Sequence, residues 1–161
     1  MENLPAPHPR RARLTGSVRV PPGFEPALSL FTPRGERLWA EGWDPQFPAL
    51  ADDDSEPGTV FETTDGQQRA TWVVCDREPG QSIRYARISY GQNAGTVTVT
   101  LDRSGAGTPD RGGAGRVATV SYDLTALSDE AAADLADFAD HYQQYLRHWE
   151  QAIADAARGT G

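Results

Sequence analysis

Residues 128–159 read SDEAAADLADFADHYQQYLRHWEQAIADAARG, and this stretch predicts one long amphipathic helix. Ser128 is a helix-capping residue type, acidic residues follow it in the first turn, and Gly159 comes directly after Arg158 at the other end. One apolar stripe recurs at intervals of three and four: Ala131, Leu135, Phe138, Tyr142, Leu146, Trp149 and Ile153. A helix of about 30 residues is roughly 45 Å long.

The opposite face of this helix is polar. It holds Asp134, Asp137, His141, Gln144, His148 and Gln151. Two of these residues, Asp137 and His141, are four apart and share a face, but a third metal ligand does not accompany them. We therefore expect a solvated face and no metal site.

Upstream of the helix, the sequence alternates between apolar and polar residues in short segments. Residues 11–20 form the first such segment, and the others are 59–64, 69–76, 82–90, 95–103 and 115–125. Turn residues such as Asp65-Gly66 and Pro79-Gly80 separate them, without a helical segment between. The pattern predicts an antiparallel sheet of six or seven strands.

The segment between the first two predicted strands, residues 24–47, is the most aromatic part of the chain. Pro26 can begin a short helix, and Thr32-Pro33 is typical of an N-cap followed by the first residue of a second helix, which we expect to run through Trp39. The predicted organisation is a flexible tail over residues 1–9, one α+β domain over residues 10–158 and a tail over residues 159–161. The glycine-rich residues 104–115 are predicted to be a hairpin tip.

A straight helix and a twisted sheet cannot contact each other along their whole lengths. We therefore expect a gap between the curved sheet and the helix, filled by side chains or by a ligand. Alternation places Val97, Val99, Tyr122 and Leu124 on the inner face, and Tyr85 and Arg87 share one face of their strand.

Several motifs resemble the START/Bet v 1-like (SRPBCC) superfamily, in its bacterial branch of polyketide-cyclase-like and lipid-transport-like proteins. They are FTPRGERLW at 31–39, GWDP at 42–45, GTVF at 58–61, WVV at 72–74, YAR at 85–87, YDLTAL at 122–127 and WEQAI at 149–153. The resemblance covers about residues 12–155. It implies a helix-grip fold, in which a curved antiparallel sheet wraps a long C-terminal helix and two short helices follow the first strand. It also implies a cavity for lipids, sterols, polyketides or other hydrophobic molecules, and some members are cyclases or dehydratases.

The candidate ligand-binding residues are aromatic and apolar, with one arginine. They are Phe31, Trp39, Trp43, Phe61, Trp72, Tyr85, Arg87, Val99, Tyr122, Phe138, Tyr142 and Leu146. The same residue types fill protein cores, so composition leaves both interpretations open.

Glu36 and Arg87 are a candidate polar pair. A buried Glu36 carboxyl can serve as an acid or base while Arg87 stabilises an oxyanion, or the two can form a structural ion pair between the early helices and the sheet. Cys75 follows Val74 in a predicted strand, and we expect a buried, unreactive thiol.

Composition excludes several classes of function. All 15 residues in the Lys+Arg total are arginines, so a phosphate-loop lysine and a Schiff-base lysine are both excluded. The net charge of −8 argues against nucleic acid binding, and no apolar run is long enough to span a membrane. A single cysteine excludes an intrachain disulfide.

The sequence leaves three functional hypotheses. The first is a cytoplasmic carrier or sensor of a small hydrophobic or amphipathic ligand, monomeric or homodimeric and without a cofactor. The second is a cyclase-, dehydratase- or hydrolase-like enzyme that uses the same cavity. The third is a partner-binding module that uses the arginine-bearing residues 10–19 or the acidic helix face over residues 129–155.

Overall fold

The sheet forms as the alternation predicts. The computed structural model describes residues 8–24, 26–65, 67–102 and 115–159. The strands are β1 (Arg11–Val20), β2 (Val60–Asp65), β3 (Gln68–Glu78), β4 (Ser82–Ser89), β5 (Asn93–Leu101) and β6 (Arg116–Ala126). Each begins and ends within two residues of its predicted bounds. They form one antiparallel sheet in the order β1-β6-β5-β4-β3-β2.

The C-terminal helix lies over this sheet, so the expected α+β helix-grip architecture is confirmed. The helix is divided into α1 (Asp129–Asp140) and α2 (Tyr142–Gly159), which corrects the prediction of one unbroken helix. His141 Nδ1 lies 2.9 Å from the Asp137 carbonyl oxygen, which the backbone N–H of His141 also approaches at 3.2 Å. His141 has φ −106° and ψ 9°, outside the helical range, and its N–H is shared between the Asp137 and Phe138 carbonyls, so the regular helix is interrupted at this residue.

The two early helices are short 3₁₀ segments, Ala27–Phe31 and Gly35–Leu38. Thr32 Oγ1 accepts a hydrogen bond from the Gly35 N–H at 3.1 Å, so it caps this turn, but the helix begins at Gly35, later than predicted. A Cβ atom at Gly35 would lie 1.6 Å from the Ser29 carbonyl oxygen. Only glycine therefore allows the second 3₁₀ helix to pack this closely on the first.

The prediction for Cys75 is wrong, because its side chain is exposed. The pairing of β3 with β4 shifts register between Val74 and Asp76, and Cys75 is the extra residue. Trp72 and Val74 are buried on the inner face, so the residue after them faces outward.

Three predictions concern parts of the chain that lie mainly outside the described ranges. These parts are residues 1–7 of the predicted N-terminal tail, residues 104–114 of the predicted hairpin tip and residues 160–161 of the predicted C-terminal tail. Within those ranges, no helix combines the length and apolar character needed to cross a bilayer.

Candidate functional site

A cavity of about 710 Å³ separates the sheet from the C-terminal helices. Strands β2 to β6 provide one wall, α1 and α2 the opposite wall, and the segment around the second 3₁₀ helix one end. Its deepest apolar residues are Val97, Val99, Leu124 and Leu135, all buried in the core. The gap that helix and sheet geometry predicts is therefore present.

Three tryptophans on the cavity wall are held by their own indole N–H groups. Trp39 donates to the Leu30 carbonyl (2.8 Å), Trp43 to the Pro33 carbonyl (2.7 Å) and Trp72 to Thr63 Oγ1 (3.0 Å). Since these donors are already bonded to protein, the indoles offer a ligand their ring surfaces and edges rather than a hydrogen bond.

Arg87 lies on the inner face of β4, as alternation predicts, and lines the cavity. Its Nη1 donates to Asn93 Oδ1 at 2.9 Å, and its guanidinium carbon lies 5.3 Å from the centre of the Trp72 ring. Nε is buried and has no hydrogen-bond partner among the described residues. Across the sheet, Arg87 lies opposite Gly95 of β5, so a side chain does not fill the space on that side.

Glu36 reaches the same cavity from the second 3₁₀ helix. Glu36 is half-buried, and its carboxyl makes no hydrogen bond or ion pair with any residue that the structure describes. Burial raises the pKa of Glu36 well above its usual range, because the charged form loses hydration without gaining a partner. Glu36 and Arg87 thus share the cavity without forming an ion pair with each other.

Two tyrosines from opposite walls meet near these charges. The hydroxyl oxygens of Tyr122 and Tyr145 are 3.4 Å apart, and burial raises the pKa of both groups. The charges of Glu36 and Arg87 act on both hydroxyls as lesser contributions, of opposite sign. Polar groups from the second 3₁₀ helix, β4, β6 and α2 therefore lie around the same cavity.

The predicted site residues divide into two layers. Those on the cavity surface are Glu36, Trp39, Trp43, Trp72, Arg87, Val99, Tyr122 and Phe138. Those buried behind it are Phe31, Phe61, Tyr85, Tyr142 and Leu146.

The second layer holds the first in position. Tyr85 donates its hydroxyl to the Phe31 carbonyl at 2.8 Å, and Tyr142 donates to the Val120 carbonyl at 2.6 Å. The ring of Phe61 stacks on Trp72, with centres 5.6 Å apart and planes 9° from parallel.

Sequence reasoning missed several cavity residues on the helices. Tyr145 lines the cavity although it lies beside the predicted apolar stripe rather than on it, next to Trp149, an aromatic residue of the stripe that the sequence did suggest for a pocket wall. Asp134 and His148, predicted on the solvated face, are exposed but border the cavity mouth. The spacing of Tyr145 and Trp149, four residues apart, was a signal for a second aromatic row on the helix.

No family model matches this sequence, and no curated protein matches it. Solved structures do match. A major latex-like protein from ginseng (Panax ginseng) superposes with a TM-score of 0.60 at 12% identity, covering 94% of this chain and 97% of that one. Norcoclaurine synthase from Thalictrum flavum, in complex with dopamine and hydroxybenzaldehyde, gives 0.58 at 12% identity, covering 94% and 88%.

The chain has the Bet v 1-like fold. A bacterial protein from Arthrobacter aurescens shares it, with a TM-score of 0.59 at 13% identity over 91% of this chain and 86% of that one. The resemblance that the sequence motifs carry is confirmed at the level of the fold. At these identities a Bet v 1-like fold fixes where a cavity lies but not what occupies it.

Proposed function

We propose that this protein binds a small amphipathic molecule in the cavity between its sheet and its C-terminal helices. The observation that carries the proposal is the cavity itself. At about 710 Å³ it lies inside the range typical of small-molecule sites, and aromatic side chains with a few polar groups line it. A hydrophobic body fits the tryptophan surfaces, and the indole N–H groups of Trp39, Trp43 and Trp72 are already bonded to protein.

Arg87 is the proposed anchor for an acceptor oxygen of the ligand. Its buried Nε has no partner, and an unsatisfied buried donor costs about 1–3 kcal/mol. Because Nε itself is covered by protein, a carbonyl, hydroxyl or carboxylate oxygen of the ligand would accept from the end of the guanidinium that lines the cavity. The neighbour norcoclaurine synthase was solved with small aromatic molecules, which supports the choice of aromatic probes.

Native mass spectrometry of the purified protein tests the proposal directly, together with thermal shifts against fatty acids, sterols and aromatic polyketides. We expect a co-purified small molecule, or a rise in melting temperature with at least one class. Ala152→Phe fills the cavity from α2 and should abolish both signals. Ala133→Phe, on the exposed face of α1, is the matched control. Binding that survives Ala152→Phe would argue against this cavity as the site.

The second candidate is an enzyme of the cyclase, dehydratase or hydrolase kind. Glu36 favours it, because a carboxyl with a raised pKa can donate a proton to a bound substrate while Arg87 stabilises the oxyanion that forms. If the protein is an enzyme, Glu36→Gln should retain ligand binding but lose turnover. If it is a carrier or sensor, bound molecules should be recovered chemically unchanged.

Three further expectations stay predictions. They are a single domain over residues 10–158, a monomeric or homodimeric state and a cytoplasmic location. Size-exclusion chromatography with light scattering, at low and high salt, measures the oligomeric state and detects any electrostatic complex with another protein.

A further inference from the structure

Acidic groups outnumber basic groups around the cavity. Four carboxyl groups line it, from Glu36 inside and from Glu41, Asp65 and Asp134 at the exposed mouth. None of the four forms an ion pair with another described residue. Among the described residues of the lining, the only basic ones are Arg87 and His148.

The one permanent positive charge is already stabilised by protein groups. The guanidinium of Arg87 lies over the ring of Trp72 and is bonded to Asn93. Trp72 therefore already makes a cation–π contact with a cation of the protein. Trp39, Trp43 and Trp149 remain on the wall with no cation of the described chain over their rings.

A ligand can therefore supply Glu36 with a hydrogen-bond donor and a positive charge, which the other described cavity groups do not supply. Glu36 faces a space with aromatic walls, lies behind a negatively charged mouth and has no hydrogen-bond donor among the residues that the structure describes. Aromatic surfaces together with an unpaired carboxyl are the combination that recognises organic cations. A hydrogen-bonded ammonium group would compensate the charge of Glu36 inside the cavity.

We propose that the ligand carries a protonated amine. The ammonium group binds to Glu36 beside the tryptophan rings, while the acceptor oxygen proposed above binds at Arg87. This inference rests on the proposed function and narrows it to aromatic or polycyclic amines that also carry an oxygen. Any proton that Glu36 holds in the empty cavity passes to solvent when the amine binds, and the carboxylate pairs with the ammonium group.

Three probes of one shape test it: naphthylethylamine (cation), ethylnaphthalene (neutral) and naphthylacetate (anion). Their dissociation constants are measured at neutral pH by calorimetry and tryptophan fluorescence. We expect the amine to bind about tenfold tighter than the neutral probe, which corresponds to one desolvated cation–π contact with a carboxylate. In Glu36→Gln that preference should fall below about threefold. The control Glu56→Gln, an exposed carboxyl outside the cavity, should keep it.

The alternative outcomes each overturn the inference. Tighter binding of naphthylacetate would indicate that Arg87 is the main binding group. Equal affinity for all three probes would indicate that the cavity does not select ligands by charge. In both cases the proposed ligand-binding function stands while the amine assignment fails. A preference for the amine that disappears in Arg87→Gln but survives in Glu36→Gln would also refute the assignment. Failure of every probe to bind would count against both proposals.

Discussion

Replacing Glu36 with glutamine should make the protein more stable at neutral pH and leave its stability unchanged in acid. The Glu36 carboxyl is half-buried, has no described partner, and has a pKa raised well above its usual range by burial. At neutral pH the wild-type protein must either keep this group protonated or desolvate its charge, and both are unfavourable relative to the unfolded chain. Glutamine has nearly the same shape without the charge.

The size of the effect follows from proton linkage. Below the ordinary pKa of 4.5 the carboxyl is protonated in both the folded and unfolded states, so the two proteins should be equally stable. As pH rises above that value the unfolded chain loses its proton first, and the folded state holds one proton more. The free energy of unfolding of the wild type then falls by up to about 1.4 kcal/mol per pH unit relative to the variant. The difference stops growing above the folded-state pKa of Glu36.

Urea denaturation at a series of pH values, from about 4 to about 8, measures this difference. Subtracting the wild-type curve from the Glu36→Gln curve removes the titration of groups common to both proteins. Glu56→Gln is the matched control, because it removes an exposed carboxyl and should give a nearly flat difference.

The sign of the difference in free energy of unfolding distinguishes an unpaired, desolvated Glu36 from a Glu36 that is ion-paired with Arg87. If the carboxyl is ionised and paired with Arg87, the variant should instead become less stable than the wild type as pH rises, because it loses an ion pair. A difference that grows with that opposite sign would refute the unpaired, desolvated state. A flat difference would show that Glu36 is solvated like Glu56.

The remaining predictions concern the framework of the site. Gly35→Ala should lower the free energy of unfolding by about 2 kcal/mol or more and weaken ligand binding, because the Cβ would collide with the Ser29 carbonyl oxygen. Phe61→Ala should cost about 3–5 kcal/mol in urea denaturation, since Phe61 is fully buried against Trp72; a loss under about 1 kcal/mol would contradict the packing. Asp137→Asn should lower the pKa of His141, followed by NMR titration. The bond to the Asp137 backbone raises this pKa and the Asp137 charge adds to it, so an unchanged pKa would contradict the contact.

Sequence reasoning was most successful where a local pattern repeats. The two-residue period of the strands located all six described strands, and the apolar stripe located the C-terminal helix. It failed at two single residues. The break at His141 depends on the backbone angles of that one residue, and Cys75 was expected in the core although the alternation that buries Trp72 and Val74 turns it outward.

The candidate site was predicted in part for a similar reason. Alternation correctly placed Arg87 and Val99 on the inner face, because side-chain direction in a strand is a local property. Tyr85 and Tyr142 have the same residue type and the same inward direction as Tyr122. They lie behind the cavity surface because their hydroxyls reach backbone carbonyls of Phe31 and Val120.

The sequence alone determined the order of the strands and helices, the inward faces of several strands and the excess of negative charge, since each of these depends on residue type and on neighbours along the chain. Tertiary structure alone decided that Glu36 and Arg87 share a cavity without pairing, and that the mouth is lined by carboxyls. These relations join residues from the second 3₁₀ helix, β2, β4 and α1, which are distant in sequence. The distances between these residues in space depend on how the sheet curves around the helices. The pattern of residue types along the chain does not contain that information.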